Sequence, residues 1–175
     1  PPRFKISEVN TFVENHYNLS ISRITNIGSY FDQNFQVTDD DGKKYIVKIS
    51  EANERLDVLE CQNKMMAIAN TSINEIEFPE CVISNSGTGI VEIDSSENKT
   101  YYLRILNYID GIFLKDIPNP TTKLLEEIGE FVGRIDKAFD SFSHSGAFRI
   151  DSPWDLKNAP LYSGLTELIP CNEDR

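Results

Sequence analysis

Gly28-Ser29-Tyr30-Phe31-Asp32-Gln33-Asn34-Phe35-Gln36-Val37-Thr38-Asp39-Asp40-Asp41-Gly42-Lys43-Lys44-Tyr45-Ile46-Val47-Lys48 is the stretch on which the reading of the fold turns. A glycine-led polar loop gives way to a short alternating segment, Asn34 to Thr38, with Phe35 and Val37 on one face. Asp39-Asp40-Asp41-Gly42 follows, and Asp-Gly is the pair that tolerates the positive φ of a tight hairpin turn. A second alternating segment, Lys44 to Ile49, then puts Tyr45, Val47 and Ile49 on one face and Ile46 and Lys48 on the other. The stretch predicts a β-hairpin entered through a flexible loop.

Upstream, Ser7 is expected to cap a helix whose apolar positions are Val9, Phe12, Val13 and Tyr17, ended by Asn18. A strand from about Leu19 to Ile27 leads into Gly28. Downstream, Asn53 to about Asn70 has a helical pattern with Leu56, Leu59, Met66 and Ala69 among its apolar positions. Phe78 to Ile83 is extended, Ser84 to Gly89 is a loop, and strands are expected at Ile90–Ile93 and Thr100–Leu106. Pro118 and Pro120 punctuate the chain before Thr121 or Thr122 caps a long helix to about Phe139. Its apolar face is Leu124, Leu125, Ile128, Phe131, Val132, Ile135 and Phe139. A Ser/Gly/Asp/Pro-rich segment with Trp154 and a short helix near Leu161–Leu168 complete the chain.

Composition bounds the function. With 39% hydrophobic residues among 175, the chain can bury a core, and its longest apolar runs are too short to span a membrane. A net charge of −11 repels phosphate backbones and anionic membranes, so nucleic acid and membrane are not expected as partners; a small anion held by local donors is not excluded. Cys61, Cys81 and Cys171 are odd in number, far apart and without metal-ligand spacing, which reads as free thiols of a cytoplasmic protein. The N-terminus Pro1-Pro2-Arg3 has neither an initiator Met nor a signal-peptide apolar region and reads as a processed or artificial boundary.

Several residues carry chemistry. Gly28 and Ser29 form either a plain inter-strand turn or an anion-binding concavity of backbone N–H groups. Lys48, an ammonium in mid-strand, either snorkels to solvent as an edge-strand lysine or meets an anion such as a nucleotide phosphate. The helix that follows offers Glu60 as a carboxylate partner for Lys48, with Gln62 fitting the helical spacing about as well. Tyr101 to Gly111 is a strand running into a short polar segment and a glycine, either an edge strand ending in a turn or a connector between lobes.

In that order, these features resemble the aminoglycoside phosphotransferase/choline kinase family of protein-kinase-like phosphotransferases. Gly28 to Phe35 is similar to its hydroxylysine-kinase-like branch, which also occurs fused to class III, PLP-dependent aminotransferases. Tyr45-Ile46-Val47-Lys48 stands at the family's lysine strand, Tyr108-Ile109-Asp110-Gly111 at its hinge, and Leu125 to Phe139 at the first long helix of the second lobe; Trp154-Asp155-Leu156 also recurs in the branch. The resemblance implies an α+β kinase-like N-lobe with a five-stranded antiparallel sheet and one inserted helix. It implies ATP and Mg²⁺ as cofactors and a hydroxyl of a small metabolite as phosphoryl acceptor. Gly28, Ser29, Tyr30, Asp32 and Gln33 would lie around the phosphates, with Lys48 gripping them and Glu60 or Gln62 orienting Lys48. Asn107 and Ile109 would read adenine through backbone groups.

The departure from the family is the absence of a His-x-Asp-x-x-x-x-Asn loop followed by a metal-binding Asp. His16 falls in the first helix and His144 in His144-Ser145-Gly146, with no Asp two residues on. The catalytic base and Mg²⁺ ligands are therefore expected beyond Arg175, and the chain alone is expected to show no turnover. The alternatives are a non-catalytic nucleotide- or protein-binding module, or a regulatory domain of an aminotransferase fusion with that enzyme as fused or partner domain. The expected organisation is an N-terminal helix (1–18), an N-lobe (19–106), a hinge (107–120) and the truncated start of a helical C-lobe (121–175).

Overall fold

The computed structural model describes residues 2–148 and 155–168, so Trp154 and Cys171 lie outside the described residues. Helix α1 (Ile6–Tyr17) precedes strands β1 (Ile21–Ile27), β2 (Gln33–Asp39) and β3 (Lys44–Ile49). Helix α2 (Leu56–Ser72) intervenes before β4 (Val91–Asp94) and β5 (Thr100–Asn107), and α3 (Thr122–Ala138) follows. The five strands form one antiparallel sheet in the order β1-β2-β3-β5-β4, as the hairpin and the inserted helix lead one to expect.

The β2–β3 turn is built by its acids. Asp39 Oδ1 accepts the backbone N–H groups of Asp41 (3.0 Å) and Lys43 (2.8 Å), and Gly42 takes φ +85°. Alternation then sorts the sheet into two faces. Phe35, Val37, Tyr45, Val47, Ile49, Leu103 and Ile105 are buried together on the back face, where Val9, Val13 and Tyr17 of α1 cover them. Phe4 seals the edge of this core against Phe12 and Tyr101, with ring centroids 5.5 and 5.1 Å away.

Ser7 does not cap α1. The helix begins at Ile6, and the Glu8 carboxylate accepts the Lys5 backbone N–H at 2.8 Å, closing the first turn from its third residue. Asn18 ends the helix in the left-handed region at φ 52°. Strand β1 starts at Ile21, two residues later than its apolar run suggests, with a register irregularity between Ile21 and Arg23. The Phe78–Ile83 segment forms no strand; it borders the end of β5 through one bridge, Cys81 to Leu106. Thr121 caps α3 by accepting the Leu124 N–H at 3.2 Å. The expected helix at Leu161–Leu168 is a 3₁₀ segment, Leu156–Leu168, with Pro160 inside it.

Candidate functional site

The front face of the sheet carries a polar row beside an apolar one. Asn34 of β2, Lys48 of β3 and Arg104 of β5 are direct cross-strand neighbours, and Gln36, Ile46 and Leu106 form the next row toward the end of β5. Lys48 Nζ donates to Asn34 Oδ1 at 3.1 Å and forms an ion pair with Asp32 Oδ2 at 3.3 Å. Both charged side chains of that pair are about three-quarters covered, at 23% and 25% exposure. Lys48 therefore belongs to the central part of the sheet and is not a solvated edge residue.

Arg104 faces Lys48 across the β3–β5 ladder and is 2% exposed. Its guanidinium forks onto α2, with Nη1 donating to the Leu59 carbonyl (3.3 Å) and Asn63 Oδ1 (2.9 Å), and Nη2 to Gln62 Oε1 (2.7 Å). Burial pushes its pKa down from the ordinary arginine value, while the neighbouring acids Asp32 and Glu54 act in the opposite sense. This arrangement corrects the expected partner of Lys48. Gln62 is committed to Arg104, Glu60 is exposed, and among the described residues no ion pair joins Glu60 to Lys48. The physical reason is that the space between sheet and helix is filled by a second cation.

The β1–β2 loop places its residues unequally. Gly28, Ser29 and Tyr30 are exposed, Tyr30 edge-on to Phe31 at 4.8 Å, and Asp32 reaches Lys48. Gln33 is on the wrong side for a phosphate ligand. It pairs with Ile49 on the back face, and its amide clamps the Phe4 backbone, accepting from the N–H (2.8 Å) and donating to the C=O (3.0 Å). Two-residue alternation requires this once Asn34 faces forward.

At the end of β5, Asn107 donates its backbone N–H to the Glu80 carbonyl at 3.0 Å, while its side-chain oxygen accepts the Glu80 N–H. Half-buried Ile109 lies two residues on. Lys44 ties this segment to β3 by accepting the Tyr108 N–H at its carbonyl (3.3 Å) and pairing Nζ with Asp110 at 2.9 Å.

Asn34 and Arg104 were not among the residues expected at the site. The signal for both was available: Arg104 stands between Leu103 and Ile105 in a buried strand, the same mid-strand cation pattern that singles out Lys48. Among the described residues no group of three or more His, Cys, Asp or Glu side chains could hold a metal ion. His144 lies against Lys64, its Nε2 3.0 Å from Nζ, and accepts the Gly146 N–H at Nδ1. Among the described residues no helix is long and apolar enough to cross a membrane.

No family model matches the chain. It is 29% identical to hydroxylysine kinase of Bos taurus across 99% of the chain and 50% of that protein. The mouse (Mus musculus) hydroxylysine kinase is also 29% identical, across 91% of the chain and 46% of that protein. The chain thus spans about half the length of the curated relatives it matches. Among solved structures it resembles an amicoumacin kinase in complex with AMP-PNP, Ca²⁺ and Ami, with TM-score 0.67 and 16% identity over 80% of this chain and 41% of that one. It also resembles a microcompartment-associated aminopropanol kinase, with TM-score 0.65 and 13% identity over 88% of this chain and 46% of that one. Sequence similarity along nearly the whole chain and a shared fold agree: the chain is similar to the hydroxylysine kinases and has the fold of the amicoumacin and aminopropanol kinases.

Proposed function

We propose that this chain is the nucleotide-binding part of a small-molecule kinase that moves the γ-phosphate of ATP to a hydroxyl group of an amino alcohol or hydroxy-amino acid. The observation that carries the reading is the pair of rows on the front face. Ile46 and Leu106 offer an apolar platform beside the hinge, and one row away Asn34 and Lys48 offer hydrogen-bonding and positive charge, with the buried Arg104 charge next to them. A planar base and a polyphosphate chain need those two surfaces side by side. The donor set fits the group: Lys48 retains donor capacity for the phosphates, the exposed Gly28–Tyr30 loop can present backbone N–H groups, and the Asn107 carbonyl and Ile109 N–H serve the base edge.

Bound Mg²⁺ would neutralise charge on the phosphates, but no ligand cluster for it occurs among the described residues, and no step through it is assigned to them. The hydroxy-amino acid acceptor follows from the names of the curated relatives. A cytoplasmic location is part of this reading and rests on the cysteines being few, odd in number and far apart.

Calorimetric titration with Mg-ATP tests the proposal. Saturable binding is expected, weakened about 10- to 100-fold in Lys48→Ala, the worth of a charge-assisted hydrogen bond. No binding by the wild type, or binding unchanged in Lys48→Ala, counts against it.

A further inference from the structure

Lys48 has a cation on its helix side. Helix α2 contains two carboxylates, Asp57 and Glu60. Asp57 is taken by Arg55, at 3.0 Å from Nε and 2.6 Å from Nη2, and Glu60 is exposed. The position from which a helix acid would approach Lys48 belongs to Arg104, which is 2% exposed and held there by three neutral acceptors on α2. Like charges directly opposite on adjacent strands repel. The Lys48 ammonium accordingly points the other way, to Asn34 at 3.1 Å and Asp32 at 3.3 Å.

We propose that Asp32 and Asn34 are the positioning residues of Lys48, in place of a helix carboxylate, and that the buried Arg104 charge enforces this choice. The proposal rests on the reading that Lys48 grips phosphate. An ammonium has three donors, so with one on Asn34 and one on Asp32 the third is left for a phosphate oxygen. It also separates two functions: α2 is fastened to the sheet by Arg104, so its placement does not depend on Lys48.

Two measurements on the full chain test this. In the first, ATP and adenosine are titrated into wild type, Asp32→Asn, Glu60→Gln, Lys48→Ala and the Asp32→Asn/Lys48→Ala double variant. Asp32→Asn is expected to weaken ATP about tenfold while leaving adenosine within about twofold, since only the phosphate contact runs through Lys48. The same substitution adds nothing in the Lys48→Ala background, and Glu60→Gln behaves as wild type. Equal or tighter ATP binding by Asp32→Asn, or a loss in Glu60→Gln as large as in Asp32→Asn, overturns the proposal.

The second measurement needs no nucleotide. Lys48 is acylated with an amine reagent and followed by peptide mass spectrometry. Freed from its partner it is labelled faster in Asp32→Asn than in wild type, and at the wild-type rate in Glu60→Gln. Should the wild type bind no ATP, the kinase reading falls and this labelling alone decides the positioning claim. Equal rates in wild type and Asp32→Asn then overturn it.

Discussion

Arg104 shows why residue type matters at one position. A buried lysine in its place would be driven toward neutrality, and its single nitrogen could not span Leu59, Gln62 and Asn63 at once. Guanidinium stays charged even though burial pushes its pKa down. Arg104→Ala leaves a cavity and the orphaned acceptor of Asn63, and is expected to cost about 2–4 kcal/mol in urea unfolding; Arg104→Lys is expected to cost less. A midpoint within error of wild type for Arg104→Ala would show that the fork contributes no net stability. Lys48 was recognisable in the sequence as a cation amid apolar alternation, and Arg104 was equally so by the same pattern. What alternation could not say is which partners each would meet.

At the scale of elements, α2 is held at three points. Arg104 fastens its middle. Just past its far end the Arg134 side chain of α3 reaches Glu75 at 2.5 Å, and Phe78 stacks on Phe131 at 5.7 Å. At its start the turn Ser145–Ala147 lies directly on the helix, and Arg55 Nη1 donates to the Phe148 carbonyl at 3.3 Å. Gly146 permits this approach: a Cβ there would overlap the Asp57 carbonyl and come within 2.8 Å of Val58 Cα, both backbone. Gly146→Ala is therefore expected to lift the turn and cost about 1–3 kcal/mol, with faster amide exchange at 144–148 and at the first turn of α2. Unchanged exchange at both places would mean the turn relaxes without leaving the helix. Three-point fastening also accords with Lys48 taking its partners from the β1–β2 side, since α2 then needs no ion pair to the sheet.

For the molecule as a whole, a chain of net charge −11 turns a row with two cations, Lys48 and Arg104, to the front of its sheet. Local placement of charge, not its total, is what the proposed nucleotide site relies on. The opposite extreme of pH reports on burial elsewhere. Burial pushes the Cys81 thiol above its ordinary value, and burial likewise pushes the Tyr17 phenol well up. Both groups bind protons more tightly when folded, so the native state gains relative protonation as pH rises and loses stability. Denaturation midpoints should fall as pH climbs from about 8 through 10, where the unfolded chain ionises first. A flat profile across that window would contradict the burial of these groups.

The elements and their faces are written in the chain: the Asp39–Gly42 turn, the alternation that sends Phe35 and Val47 backward and Lys48 forward, and the apolar spacing of α1 and α2. These depend on backbone sterics and on periods of two or 3.6 residues, which a few neighbouring side chains encode. Gln33 was legible on the same rule, because it alternates with Asn34. It took the packing of helix against sheet to bring Lys48 to Asp32 and Asn34, Gln62 to Arg104, and residues 145–147 onto α2. Those pairings join residues as far apart in the chain as Asp57 and Gly146, and they depend on where the volume and charge of Arg104 come to rest once helix and sheet have packed.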